Sequence, residues 1–186
     1  MAEQKRLMRR EMREKLFAIG AEIRIAASTG IVGRITSSLA WREAGSVALF
    51  SPLASEPDIS SLLDAALMVG KDVMYPRMKG GELELCVVHS RGDFQAGAFG
   101  ILEPHGESSP LAADLILVPG LAFDANGHRL GRGKGYYDRL LALMTKARTM
   151  GVFFSCQQAQ RIPAEGHDVR LDCVATEERL DVFARP

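Results

Sequence analysis

Gly131, Gly133 and Gly135 alternate with Arg132 and Lys134, and this stretch constrains the chain more than any other. Glycine lets backbone approach a ligand closely, and the flanking cations make the loop a candidate anion site. It belongs to a longer run, Leu115-Ile-Leu-Val-Pro-Gly-Leu-Ala-Phe-Asp-Ala-Asn-Gly-His-Arg-Leu-Gly-Arg-Gly-Lys-Gly-Tyr-Tyr-Asp138. Leu115 to Val118 is short, apolar and bounded by Asp114 and Pro119-Gly120, so it reads as a buried strand. The run ends in a helix, which makes the whole a strand, a glycine-rich turn and a helix N-terminus pointing at a phosphate.

The spacing excludes two familiar phosphate loops. A Walker A loop requires Ser or Thr after its Gly-Lys pair, whereas Lys134 is followed by Gly135 and Tyr136. A dinucleotide fingerprint needs its third glycine three residues after the second, and Gly135 comes only two after Gly133. Arg129, Arg132 and Lys134 supply the positive charge. Asp138 falls on the first turn of the following helix. An isolated aspartate there would merely complement the helix dipole. Beside a basic glycine loop it reads as a Mg²⁺ ligand, because that ion takes one or two carboxylates together with phosphate oxygens and water.

Val118-Pro-Gly-Leu-Ala-Phe-Asp124 followed by Arg129-Leu-Gly-Arg-Gly-Lys-Gly-Tyr-Tyr-Asp138 closely resembles the signature of the 5-formyltetrahydrofolate cyclo-ligase family, also called methenyltetrahydrofolate synthetases. The resemblance extends from Lys5 to about Ala175. It implies ATP- and Mg²⁺-dependent cyclisation of 5-formyltetrahydrofolate to 5,10-methenyltetrahydrofolate, with release of ADP and phosphate, through a phosphorylated formyl intermediate. It further implies that ATP contacts Lys5 and Arg9, which match a Lys-x-x-x-Arg pattern, and the segment Arg129, Leu130, Gly131, Arg132, Gly133, Lys134, Gly135, Tyr136 and Tyr137. Arg132, Lys134 and Tyr136 are the catalytic candidates. Glu56, Arg77, Phe99, Arg132 and Tyr136 are the candidates for contacting folate. A second metal ligand beside Asp138 falls on Asp172, or on Asp168 if the register is off by one turn.

Composition bounds the alternatives. A chain of 186 residues suits a single domain spanning 1–186. Formal net charge is zero, which argues against nucleic acid or an anionic membrane as partner. Cys86, Cys156 and Cys173 are odd in number, without a CxxC pair, and suit a reducing cytoplasm. The N-terminal stretch is charged, and no apolar run approaches membrane-spanning length. With no long apolar stripe left over, the expected state is a monomer.

Along the chain, residues 3–18 form a basic amphipathic helix with Leu7, Met8, Met12, Leu16 and Phe17 on one face. Residues 21–44 read as a second helical stretch, with Ile23, Ile31, Ile35, Leu39 and Trp41 inward and Gly30 and Gly33 as weak points. Strands follow at 47–50 and 72–75 with a helix at 59–68 between them. Residues 82–88 form an antiparallel strand after the Gly80-Gly81 turn, and 94–104 is irregular. A helix over 137–146, a strand at 149–154 and an apolar segment at 173–175 complete the pattern. Alternating strands and helices predict a three-layer α/β/α fold, open and Rossmann-like, with a mostly parallel sheet and ligands beyond the carboxyl ends of its strands. Two other functions fit part of this pattern. A sugar-phosphate isomerase would need no Lys5, Arg9 or metal pair, and a non-catalytic nucleotide- or folate-binding protein would have little reason to keep the whole loop.

Overall fold

The computed structural model describes residues 1–97, 101–109, 113–166 and 168–184. In chain order the helices and strands are α1 (Ala2–Phe17), α2 (Ala21–Ser37), α3 (Leu39–Glu43), β1 (Ser46–Ala48), α4 (Ser61–Met68), β2 (Asp72–Lys79) and β3 (Glu82–Val87). They continue as β4 (Phe94–Ala96), β5 (Leu102–Pro104), β6 (Leu115–Val118), β7 (Ala122–Phe123), β8 (Arg129–Leu130), α5 (Tyr136–Leu143), β9 (Arg148–Val152), β10 (Cys173–Ala175) and β11 (Leu180–Val182).

Seven strands form the main sheet in the order β11-β10-β9-β6-β1-β2-β3. The five inner strands run parallel, and β3 and β11 pair antiparallel at the two edges. Side chains alternate across the sheet. Val47, Val73, Leu115, Leu117, Met150 and Val152 face one way, into a core shared with Leu16, Ile31, Ile35, Trp41, Leu62 and Leu63 of α1 to α4. Ala48, Met74, Ile116, Val118 and Val174 face the other way, onto Leu140 and Leu141 of α5. The result is a three-layer α/β/α fold in which, among the described residues, α1 to α4 pack on one face and α5 on the other.

Some local expectations are revised. The second helical stretch breaks at Ser38, not at Gly30 or Gly33, which lie within α2. Ser38 leaves helical geometry and its hydroxyl accepts from the Trp41 N–H, so it caps α3. Phe17, Ile23 and Leu39, expected inward, are exposed. The 94–104 region holds the small antiparallel pair β4–β5. The turn before β3 is as expected, with Gly80 and Gly81 both at positive φ (61° and 88°).

Candidate active site

Between β6 and α5 the chain does not pass directly through the glycine turn. It first makes a hairpin, β7 with β8, in which Ala122 pairs with Leu130 and Phe123 with Arg129. Asp124 builds the turn of this hairpin. Its fully buried carboxylate accepts from the N–H groups of Asn126 (2.9 Å), His128 (3.1 Å) and Ile162 (2.9 Å). Gln157, also buried, donates to the carbonyls of Gly120 and Leu121 and so fixes the start of the same segment. Leu130 is buried with Ala122 and Ile162 against Met8 and Met12 of α1, so it offers a ligand backbone but not its side chain.

The glycine turn then leads into α5. Gly133 and Gly135 sit at φ of 107° and 69°, conformations that favour glycine. Gly135 is the N-cap of α5, and Asp138 lies in its first turn. The loop borders a cavity of about 520 Å³ that Phe50, Pro76, Met78 and Pro119 line from the carboxyl ends of β1, β2 and β6. That is where a ligand belongs in such a sheet.

Most of the cations here are already engaged. Arg129, 8% exposed, donates to Asp138 Oδ1 (2.7 Å) and to the Val169 carbonyl (2.7 Å). Burial pulls its pKa below the ordinary arginine value, opposed by the Asp138 carboxylate. Arg132 donates from Nε and Nη2 to Glu56 Oε1 (3.1 and 2.8 Å) and also to Ser55 Oγ (3.1 Å). Glu56 is only 5% exposed, and its other oxygen accepts from the Leu53 N–H. Tyr137 packs inward on the α5 core, where burial, and secondarily the Glu56 carboxylate, push its phenol pKa up. Tyr136 lies under the Arg139 guanidinium, 5.3 Å from the ring centroid, and lines the cavity.

Helix α1 closes the other side. Arg9 Nε donates to the Gly131 carbonyl (2.9 Å), and its guanidinium lies beside Gly133. Lys5 is buried and pairs with Asp168 (2.8 Å) and Glu165 (3.6 Å). Among the described residues, Arg9 and Lys134 form no ion pair, and Lys134 is exposed. The site thus keeps two uncompensated cations beside open glycine backbone.

Two expected site residues, Arg77 and Asp172, fall elsewhere. Arg77 faces away from the cavity, because Pro76 and Met78 occupy the alternate positions that line it. Its guanidinium pairs with Glu84 (2.6 Å) and donates to the Gly106 carbonyl (2.8 Å). Asp172 lies at the amino ends of β9 and β10, where it accepts from the Thr149 N–H (2.7 Å) and hydroxyl (3.1 Å). The loop is at the carboxyl ends, so Asp172 is not brought to it. Asp168, one turn earlier in the register, is the carboxylate beside Lys5 and Arg129. Phe99 lies outside the described residues. Ser55 was missed altogether, and only its position beside Glu56 could have signalled it.

The Arg77 site carries a pH prediction. Ser108, Arg77 and Lys79 hold the Glu84 pKa down to about 2, with the Ser108 hydrogen bond the largest contribution. A depressed carboxylate stabilises the fold above its unfolded pKa of roughly 4.3 and loses that contribution as pH falls towards 2. Glu84→Gln is therefore expected to flatten the acid limb of the stability curve between those values, read by urea titration at each pH. An unchanged limb would contradict it.

The cysteines offer no competing nucleophile. All are free thiols, and burial raises their pKa values, that of Cys173 to about 12. Among the described residues no group of three or more His, Cys, Asp or Glu is arranged to hold a metal. Mg²⁺ bound with phosphates needs only one or two carboxylates.

A basic glycine turn at the carboxyl ends of parallel strands, closed by a helix carrying further cations, defines an α/β enzyme built around that turn. The family model for 5-formyltetrahydrofolate cyclo-ligases matches residues 1–177, and the chain belongs to that family of ligases. A 5-formyltetrahydrofolate cyclo-ligase of Mycolicibacterium smegmatis is 36% identical over 149 residues, covering 75% of this chain and 77% of its own. One from Mus musculus is 29% identical and covers 94% of each chain. Among solved structures, the 5,10-methenyltetrahydrofolate synthetase of Aquifex aeolicus superposes with a TM-score of 0.88 at 35% identity, over 98% of this chain and 94% of that one.

Proposed function

We propose that this enzyme converts 5-formyltetrahydrofolate and ATP into 5,10-methenyltetrahydrofolate, ADP and phosphate. The observation that carries the reading is the glycine turn, with Lys134 and Arg9 in no ion pair among the described residues, beside positive-φ glycines at the mouth of the cavity. A formamide oxygen is a poor leaving group, and phosphorylation corrects this. The formyl oxygen attacks the γ-phosphorus, and the bond from that phosphorus to the bridging oxygen breaks as ADP leaves. N10 of the same folate then attacks the formyl carbon and loses its proton. The carbon–oxygen bond breaks, phosphate departs, and the ring is closed.

Positioning and charge neutralisation are what the protein has to supply. Lys134 and Arg9 bind the phosphates together with the N–H groups of the turn. Arg132 stands between the nucleotide and Glu56 and stabilises the transferring phosphoryl group. Glu56 accepts N–H donors of the pterin, and Tyr136 packs against it. Asp138 and Asp168 would hold Mg²⁺, which supplies neutralisation of phosphate charge when bound. Lys5 keeps Asp168 oriented. The enzyme is proposed to work in the cytoplasm.

The direct test is growth of methenyl-folate absorbance when purified protein is mixed with 5-formyltetrahydrofolate, Mg²⁺ and ATP. Growth requires all three additions, and Lys134→Ala and Asp138→Ala are expected to abolish it. A folded protein that binds ATP yet forms no methenyl product would overturn the assignment in favour of a binding-only role.

A further inference from the structure

We infer that Glu103 is the acid–base residue of ring closure; this rests on the function proposed above. It takes the N10 proton, passes it to the departing phosphate and stays behind as counter-charge to the methenyl cation. Among the described residues, three carboxylates line the catalytic cavity, those of Glu56, Glu103 and Asp138. Glu56 is matched by Arg132 at 2.8 Å and Asp138 by Arg129 at 2.7 Å. Glu103 has neither a hydrogen bond nor an ion pair among the described residues. The cation whose charge it feels is Arg77, which Glu84 already holds at 2.6 Å. A carboxylate left unmatched in a cavity that must also accept phosphates is unfavourable until a positive charge forms beside it. The fold aims this side chain. Within β5, Leu102 faces a groove beside α2 and Glu103 the catalytic cavity, as alternation along a strand requires. Glu103 pairs across the hairpin with Gln95, and Gly97 follows two residues later on the same face. A Cβ on Gly97 would overlap Glu103 Cγ and stand 2.5 Å from its Cδ, so glycine is what lets the side chain lie across this backbone.

Ring closure creates the need for such a group. Once the formyl oxygen carries phosphate, N10 attacks the carbon and becomes a protonated, strongly acidic amine. Phosphate leaves poorly as a trianion, so the carbon–oxygen bond breaks as a phosphate oxygen gains a proton. The Glu103 carboxylate takes the proton from N10 and delivers it to that oxygen, so hydrogen phosphate departs and Glu103 is a carboxylate again. The electron pair freed on N10 completes the N5–C–N10 amidinium, while the pair of the broken bond leaves with phosphate. One positive charge stays behind, shared between N5 and N10. Phosphate and ADP carry their own charges away, and Glu103 remains to face the cation.

Calorimetry without ATP compares binding of 5-formyltetrahydrofolate, whose N5 is a neutral amide, with binding of the 5,10-methenyl cation. Glu103→Gln keeps the size of the side chain and removes its charge. It is expected to weaken the cation by about tenfold and to leave 5-formyltetrahydrofolate within about threefold of wild type. Gly97→Ala, which displaces the carboxylate without altering it, should do the same. In Glu103→Gln, kcat should fall by about 10²-fold. In a single turnover, ADP read by rapid quench should form at near the wild-type rate while methenyl absorbance lags behind it. Wild-type kcat and cation affinity in Glu103→Gln overturn the proposal, as does an equal loss of both folates or a delay of ADP together with methenyl. A Gly97→Ala protein that binds the cation like wild type overturns the placement of the carboxylate. If wild type makes no methenyl product yet its hold on the cation still follows the Glu103 charge, the counter-charge stands and the catalytic assignment falls. Absence of any folate binding overturns both.

Discussion

Asp124→Ala is expected to lower stability by about 3 kcal/mol, because it leaves three backbone N–H groups without their buried acceptor. For a chain of 186 residues this corresponds to a fall in Tm of roughly 6–12 °C. Turnover should fall as well, even well below the melting range, because Asp124 shapes the hairpin that delivers Arg129 to the glycine turn. Asp124→Asn keeps one carbonyl oxygen and should land between the two. Calorimetry gives the thermal shift and the absorbance assay the activity. A variant that melts with wild type would show that water replaces the carboxylate without cost.

The second large effect belongs to Arg132. Arg132→Ala removes a cation from the loop and strands the Glu56 carboxylate, which is 5% exposed. kcat/KM is expected to fall on the order of 10²–10³-fold. Arg132→Lys should recover little, because both Nε and Nη2 reach Glu56 Oε1 and an ammonium cannot reproduce that fork. Adding Glu56→Gln to Arg132→Ala should restore stability, since no buried charge is then left alone, but not activity. If the double variant regained turnover, Arg132 would be acting only as a partner for Glu56.

Much of the fold was legible because the inner strands are short apolar runs separated by helical segments, and only a parallel sheet accommodates that alternation. The glycine turn was legible from spacing alone. Legibility failed where tertiary contacts decide. Nothing in the Ala122 to Leu130 segment announces two-residue strands, whose pairing depends on a buried aspartate and on packing beneath α1. The Ser38 break lies in a helix-compatible run and depends on one capping hydroxyl. Arg77 could have been placed correctly, since it alternates with Pro76 and Met78 in a strand and must face away from whatever they face. Asp168 and Asp172 look alike in sequence. They separate only because the chain between them travels from the loop end of the sheet to its far end, carrying Val169 past Arg129 and Asp172 to Thr149.

The docking of α1 has a consequence for how the enzyme comes into being. Lys5 meets a carboxylate 163 residues further on, and Arg9 meets a carbonyl 122 residues further on. Contacts this distant form late, after most loop-closure entropy has been surrendered. A nascent chain still short of Gly131 therefore carries Lys5 and Arg9 as two solvated cations with no cleft to close. The cleft is completed only once Gly131 and Asp168 have both been made and the first helix finds them.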